Sequence, residues 1–457
     1  MSRYAEWPIA VRTLDLREPV QPITGVQGYS RVRVFVSEGP ELLGSMDIWH
    51  GGAPDISAAR VRASLVDCLG YNLFKRSLTR QLGEAGPRPG ALPTDVSVSV
   101  VVPTCNRPDD LGRCLASLTT QITDRRLEII VVDNRPGSSV TRDVVRQFPT
   151  VRLIDEPRPG LSYARNAGIA AATGDIIIAT DDDVTAPTEW LERLVAPFAR
   201  PEVMAVTGHV LPLELETESQ CRFEAYGGLG KGFSRFEVNG EWFRTRRVAV
   251  PTWNLGATAN AAFRAVIFSD PAIGLLDEAL GAGMPTGCSE DTYLFYRILK
   301  AGHTIVYEPS AYVWHRHRRL MESLRHQIYS YSKGHVAYHL VTLRNDADRR
   351  ALVRLVYSLP KTYVRRMWER VRRRSDYPLS LILLEVRGNL AGPLALWRSR
   401  RRVRRFGPSA PLARTARVPA APPAAKAEPQ PDVPDRVKPE KHDAVSLEST
   451  IAQSPSS

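Results

Sequence analysis

Three consecutive aspartates, Asp181, Asp182 and Asp183, follow the apolar run Ile176-Ile177-Ile178-Ala179 and Thr180. A buried strand ending in crowded carboxylates is costly, because like charges push one another's pKa upward unless a cation neutralises them. Oxygen ligands of this kind suit a hard divalent ion, Mg2+ or Mn2+, and such an ion suits a phosphate-bearing ligand. Taken alone, the aspartates also fit a solvated loop ahead of a helix, since Trp190-Leu191 and Leu194-Val195 read as an apolar helix face.

Other residues with chemistry are read with the same two meanings. Asp133, after an apolar run, can accept from a pyrimidine N3–H or a ribose hydroxyl, or be an ordinary loop carboxylate. Arg165 and Asn166, beyond the tight Pro159-Gly160 turn, can start a helix, and an arginine there can also reach a diphosphate. Ser289-Glu290-Asp291 precede an apolar helix, where acidic residues are favourable on dipole grounds alone. No G-x-G-x-x-G or Walker A run occurs, which argues against a dinucleotide enzyme or an NTPase.

The elements that must position these residues follow from periodicity. From Val96 strands alternate with helices, the signature of a parallel sheet wrapped by helices. Strands are predicted at 98–102, 127–132, 151–154 and 176–179, helices at 109–118 and 140–148, and strands again at 304–307 and 311–314. The polar clusters 103–107, 133–135 and 181–183 then sit at carboxyl ends of parallel strands, where open α/β sheets bind ligands. Ahead of this block, 31–36 and 45–49 predict a β-hairpin with S-E-G-P-E-L-L-G as its turn. Residues 56–82 predict a helix with Val61, Leu65, Leu69 and Leu73 on one face, and 83–94 a linker.

The 457 residues allow two to three domains, and 43% hydrophobic with 24% charged residues is ordinary soluble composition. No window holds eighteen consecutive apolar residues, and the first residues have no signal-peptide h-region, so the expectation is a cytosolic chain. Five cysteines without C-x-x-C spacing predict free, mostly buried thiols. Between residues 341 and 405 eighteen Lys or Arg stand against five Asp or Glu, so this stretch accounts for the whole net charge of +12.

The run V-S-V-V-V-P-T-C-N-R, then E-I-I-V-V-D-N, G-L-S-Y-A-R-N-A-G and A-T-D-D-D-V resembles the donor half of family-2, GT-A-fold glycosyltransferases. S-E-D-T-Y-L-F-Y-R-I-L-K-A-G-H followed by V-W-H-R-H resembles the acceptor half. Together these span about residues 96–319 in the family's order. The resemblance implies a GT-A-like, Rossmann-like mixed sheet wrapped by helices, and the sequence on either side of it adds a small N-terminal α+β unit and a basic helical C-terminal region. The units are 1–93, the glycosyltransferase domain 94–340, basic amphipathic helices 341–406, and a disordered Pro/Ala/Ser-rich tail 407–457.

It also implies residue roles. Pro103, Thr104, Asn106, Arg107 and Asp133 would surround the nucleoside, with Arg165, Asn166 and Asp182 nearby, and Asp181 on the ribose or metal. Asn260, in T-A-N-A-A-F-R, would line the donor sugar, although Thr258 stands where the family has glycine. Asp183, with Asp181 and His315, would hold Mg2+ or Mn2+ against the donor diphosphate, and Asp291 beside Glu290 would be the catalytic base. Apart from the resemblance, the glycine-rich segment Glu224 to Phe233 reads equally as a mobile loop closing over substrate or as a plain surface loop.

The implied reaction is inverting transfer from a nucleotide-diphosphate sugar to the hydroxyl of a glycan or lipid-linked acceptor, in cell-envelope glycan or glycolipid synthesis. Without Q-x-x-R-W or spanning helices, single-sugar transfer is favoured over processive synthesis. Leu352, Leu355, Val356, Leu359 and Tyr363 form an apolar stripe among arginines, broken near Pro360, which suits the anionic inner face of a membrane or a solvated helix. Nucleic acid is not expected as a partner, for want of a recognisable motif. The alternatives are a sugar-phosphate nucleotidyltransferase, which usually needs a Gly-rich loop where P-T-C-N-R stands, and a non-catalytic nucleotide-sugar or glycan-binding protein.

Overall fold

The computed structural model describes residues 7–82 and 91–412. The first six residues, most of the expected linker and all but the first residues of the Pro/Ala/Ser-rich tail lie outside the described residues.

Strands β1 (Ile9–Asp15), β2 (Arg31–Glu38) and β3 (Glu41–Ile48) form a separate three-stranded sheet. β2 and β3 are the expected antiparallel hairpin, but its turn is shorter than S-E-G-P-E-L-L-G suggests. Only Gly39-Pro40 turns, and Glu41–Gly44 already alternate in burial as strand. β1, which the sequence did not reveal, pairs in parallel with β2. Helix α1 (Ala58–Gln81) covers this sheet, burying Val61, Leu65 and Leu69.

The main sheet starts with β4 (Val98–Thr104), α2 (Pro108–Leu118), β5 (Leu127–Asp133), α3 (Val140–Val145), β6 (Val151–Asp155), α4 (Leu161–Ala171) and β7 (Ile176–Thr180). Pro103 and Thr104 belong to β4, so the first cluster begins inside the strand and not after it. The chain continues through β8 (Val184–Thr185), α5 (Trp190–Val195), β9 (Val203–Pro212), α6 (Glu218–Tyr226), β10 (Phe236–Val238), α7 (Gly240–Thr245), β11 (Asn260–Arg264), α8 (Glu290–Lys300) and β12 (Thr304–His315). The nine strands run β10-β12-β9-β11-β7-β4-β5-β6, with β8 on β12. β4, β5, β6 and β7 are mutually parallel, whereas β11 runs antiparallel between β7 and β9, giving a mixed α/β sheet. Two apolar layers cover its faces, and near-continuous Val and Ile in β4, β5 and β7 are what a doubly covered sheet requires.

At the junction of β9, β11 and β12 the Asn260 amide is fully consumed. Its Nδ2 donates to His209 O (2.8 Å) and Ala311 O (2.7 Å), and its Oδ1 accepts from Trp190 Nε1 (2.9 Å). Gly208 completes this junction, since a Cβ there would land on Ala311 O and the Asn260 amide.

Helices α9 (Met321–Asn345), α10 (Arg350–Leu352), α11 (Leu359–Val371) and α12 (Leu379–Phe406) close the chain. α9 passes residue 340 without a break. A π-helical turn at Val353–Ser358 joins α10 to α11 without leaving helical backbone, so Pro360 lies inside a continuous helix, where its missing N–H removes one ladder bond, and the break expected near it does not occur. α12 lies along α9 with Gly388 against Ser332 and Gly392 against Val336. α12 is the one helix among the described residues long and apolar enough to cross a membrane by length and composition, although 39% of its apolar window is buried here. The cysteines are all free, but only Cys114 and Cys221 are buried; Cys68 and Cys105 are exposed, which corrects the expectation of mostly buried thiols.

Candidate active site

A cleft of about 1190 Å3 opens at the carboxyl ends of β4 and β7 and is closed on its far side by α9, α11 and α12. Pro103, Thr104, Arg107, Arg165, Asp181, Asp182, Asp183, Glu290, Asp291 and His315 all line it. Residues far apart in sequence therefore meet where the parallel strands end.

The aspartate run is a turn between β7 and β8. Because β8 pairs antiparallel with the end of β12, His315 lies opposite Val184, next to Asp183. His315 Nε2 is 3.2 Å from Asp183 Oδ1, and Arg316 N donates to Asp183 O (3.1 Å). Ligand atoms of Asp181, Asp183 and His315 lie within 4.8 Å of one another. Among the described residues Asp183 Oδ1 is buried without a partner at hydrogen-bonding geometry, which fits a cation ligand. Two carboxylates and an imidazole are an acceptable donor set for Mn2+ or Mg2+.

Burial opposes the charge on both members of this pair, but their mutual attraction prevails, holding Asp183 below and His315 above its ordinary value. Asp182 is held differently. It accepts from Thr104 Oγ1 (2.7 Å) and Arg107 Nη1 (3.0 Å), while burial pushes its carboxyl up to about 6. Arg107 Nη1 also reaches Asp183 Oδ2 (2.9 Å).

Arg165 is a buried bridge. Nη1 donates to Glu290 Oε1 (2.6 Å) and Nη2 to Asp181 Oδ1 (2.6 Å). Its guanidinium is thus engaged by protein carboxylates, where the sequence suggested an arginine reaching for diphosphate. Burial, then the neighbouring Asp291, pushes Glu290 up to about 7.

Ser289 adopts a left-handed φ of 82° ahead of α8, a costly conformation for serine that sets Glu290 and Asp291 on the first turn. Asp291 Oδ1 accepts from Thr292 N (2.6 Å), and among the described residues Oδ2 accepts a hydrogen bond only from Thr258 N at 3.4 Å. One of its oxygens is therefore available to a ligand in the cleft.

Four expected site residues do not line the cleft. Asn166 donates to Leu276 O and Glu278 Oε1 and accepts from Leu276 N, and Asn260 is consumed at the β9–β11–β12 junction. Both amides give their two N–H groups to protein acceptors, Asn166 to Leu276 and Glu278 and Asn260 to His209 and Ala311. Asp133 is buried and accepts from Arg135 N (2.8 Å), and Asn106 Oδ1 accepts from Ser138 Oγ (3.0 Å).

Asn134, from the polar cluster 133–135, lines the cleft, and other lining residues had escaped notice: Trp253, Cys288, Arg318, His326 and Tyr331. Lys231 is another. Its ammonium has no hydrogen-bond or ion-pair partner among the described residues, and burial lowers it to about 8. It stands in the glycine-rich segment, whose first residues, Glu224–Tyr226, are the last turn of α6 and not loop.

Residues 99–267 match the family described as glycosyl transferase family 2. An N-acetylglucosaminyltransferase of Bradyrhizobium elkanii is 31% identical over 141 residues, 30% of this chain and 74% of that one. The pre-mycofactocin glycosyltransferase of Mycobacterium tuberculosis is 31% identical over 237 residues, 51% of this chain and 46% of that one, so the match spans about half of each protein. Among solved structures, a mannosyltransferase from Pyrobaculum calidifontis, in complex with GDP-Man and Mn2+, is similar with a TM-score of 0.39 and 18% identity, over 76% of this chain and 86% of that one. This chain belongs to glycosyltransferase family 2.

Proposed function

We propose that this protein transfers a single sugar from a nucleotide-diphosphate donor to an acceptor hydroxyl with inversion at the anomeric carbon. The observation that carries the reading is the convergence on one cleft of the Asp181, Asp183 and His315 trio with a separate carboxylate, Asp291. Asp181, Asp183 and His315 would hold Mg2+ or Mn2+, which when bound supplies charge neutralisation for the departing diphosphate. Thr104 and Arg107 fix Asp182 beside the trio, and Arg165 holds Asp181 in place. Asp291 takes the acceptor proton at its less engaged oxygen as the acceptor oxygen bonds to the anomeric carbon and the bond to the diphosphate breaks. Glu290 stays behind it as the partner of Arg165.

The acceptor is a glycan or a lipid-linked glycan of the cell envelope, met on the cytoplasmic face of the membrane. Support for this part is the far wall of the cleft, built from the same basic helices that expose Trp368 and Trp397. The test is nucleoside diphosphate release from UDP-, GDP- and dTDP-sugars with Mn2+ or Mg2+. One donor should be hydrolysed slowly, and chelation should abolish it. If no donor binds with metal present, as judged by thermal shift, the reading fails.

A further inference from the structure

Behind His315, on the side away from Asp183, runs a chain of buried polar contacts. His315 Nδ1 is 2.9 Å from His317 Nδ1, and His317 Nε2 is 2.9 Å from Glu224 Oε1. Glu224 Oε2 lies 3.7 Å from Arg33 Nη1, on β2 of the N-terminal sheet, and Arg33 is anchored to Asp47 Oδ1 at 2.7 Å. The path crosses three parts of the fold: β2, the end of α6 and the segment just beyond β12. Gly228 leaves the room Glu224 needs, since a Cβ there would collide with the Glu224 carboxylate. Phe223 packs edge-on against His317 with ring centroids 4.8 Å apart.

The proton positions along this path follow from chemistry. A carboxylate only accepts, so His317 Nε2–H donates to Glu224. A neutral imidazole has a single N–H, so His317 Nδ1 must accept, and the donor is His315 Nδ1–H. That leaves His315 Nε2 as the nitrogen facing Asp183.

We propose that His317, held by Glu224 and behind it by Arg33, is a positioning residue that fixes the His315 ring with Nε2 toward the metal-binding carboxylates. The N-terminal sheet is thereby part of the apparatus that shapes the metal site. A ligating histidine whose other nitrogen is held by such a partner gains a fixed orientation and a stronger donor nitrogen. The proposal rests on the metal-binding reading above.

The test is Mn2+ affinity, measured on the full chain by loss of the free-ion electron paramagnetic resonance signal, alone and with UDP or GDP. His317→Phe keeps an aromatic ring beside Phe223 but removes the acceptor, and should weaken Mn2+ binding ~10- to 100-fold. His317→Asn places an amide oxygen where Nδ1 stood and should restore most of that loss. Arg33→Met should weaken binding by a smaller factor in the same direction. Melting temperatures without metal identify any variant that is merely unfolded. Wild-type affinity in His317→Phe, or an Asn variant as weak as the Phe variant, overturns the proposal while leaving the metal site standing. A wild type that binds no Mn2+ under any of these conditions overturns both.

Discussion

Arg165 Nη1 lies 2.6 Å from Glu290 Oε1, so one buried ion pair joins α4 in the first half of the sheet to the first turn of α8 in the second. The other end of the guanidinium holds Asp181. Removing the arginine leaves two carboxylates buried or half-buried without their cation. Arg165→Met should therefore cost about 3 to 5 kcal/mol of unfolding free energy, read from urea denaturation. Arg165→Lys, a point charge in place of a fork, should keep the fold but lose turnover. An unchanged denaturation midpoint in the Met variant would refute the bridge.

Asp291→Asn preserves an oxygen to accept from Thr292 N but removes the basic site. Turnover should drop by ~10²- to 10⁴-fold with donor binding intact. Asp183→Ala should instead abolish Mn2+ binding. Measuring donor binding and product formation separately distinguishes the two, and near-normal turnover in the Asn variant would place the base elsewhere.

The polar clusters of the donor half were legible because each follows an apolar run, and a buried strand that ends in Asp or Thr must deliver those groups to a strand end. Residue type did not reveal which polar groups are ligands and which are scaffold. Asn166 was expected near the nucleoside and Asn260 on the donor sugar, yet Asn166 donates to Leu276 O and Glu278 Oε1, and Asn260 to the His209 and Ala311 carbonyls. The far wall was legible only in part: the glycine-rich segment and the basic helices were marked, but Tyr331 and Arg318 come from separate segments with no shared spacing. β1 escaped for a similar reason: its partner in parallel pairing, β2, lies beyond a long connection, so no turn signal marks it.

His209 is buried in β9, within 2.8 Å of the Tyr307 hydroxyl, which also donates to Gly232 O. Burial lowers its pKa from 6.5 to about 4. Below pH 6.5 the unfolded chain therefore takes up a proton that the folded chain refuses until about pH 4, so stability falls as pH drops through this window. The contribution is on the order of 3 kcal/mol and is intact above pH 7. His209→Asn, which can still donate toward Tyr307, should show a shallower loss of stability between pH 6.5 and 4 than wild type. Parallel pH profiles would remove His209 as the cause.

Trp368 and Trp397 are 45% and 56% exposed, and Arg372 and Arg401 lie over their rings at 3.9 and 5.7 Å. Such pairs suit the headgroup region of an anionic bilayer, where each arginine contributes about 1 kcal/mol. The protein should sediment with phosphatidylglycerol vesicles at low salt, release at high salt, and bind less after Trp368→Ala with Trp397→Ala. Equal sedimentation with neutral phosphatidylcholine vesicles would count against this surface.

The pairing of β9 with β12 bears on how the chain is made. β9 is buried almost throughout and lies between β11 and β12, yet β12 is the last strand of the sheet, among the described residues, to leave the ribosome. Until it emerges, a long apolar strand has one open edge, and such edges recruit foreign strands. Fragments ending before residue 304 should aggregate during synthesis, and His315 arrives on the very strand that seals that edge.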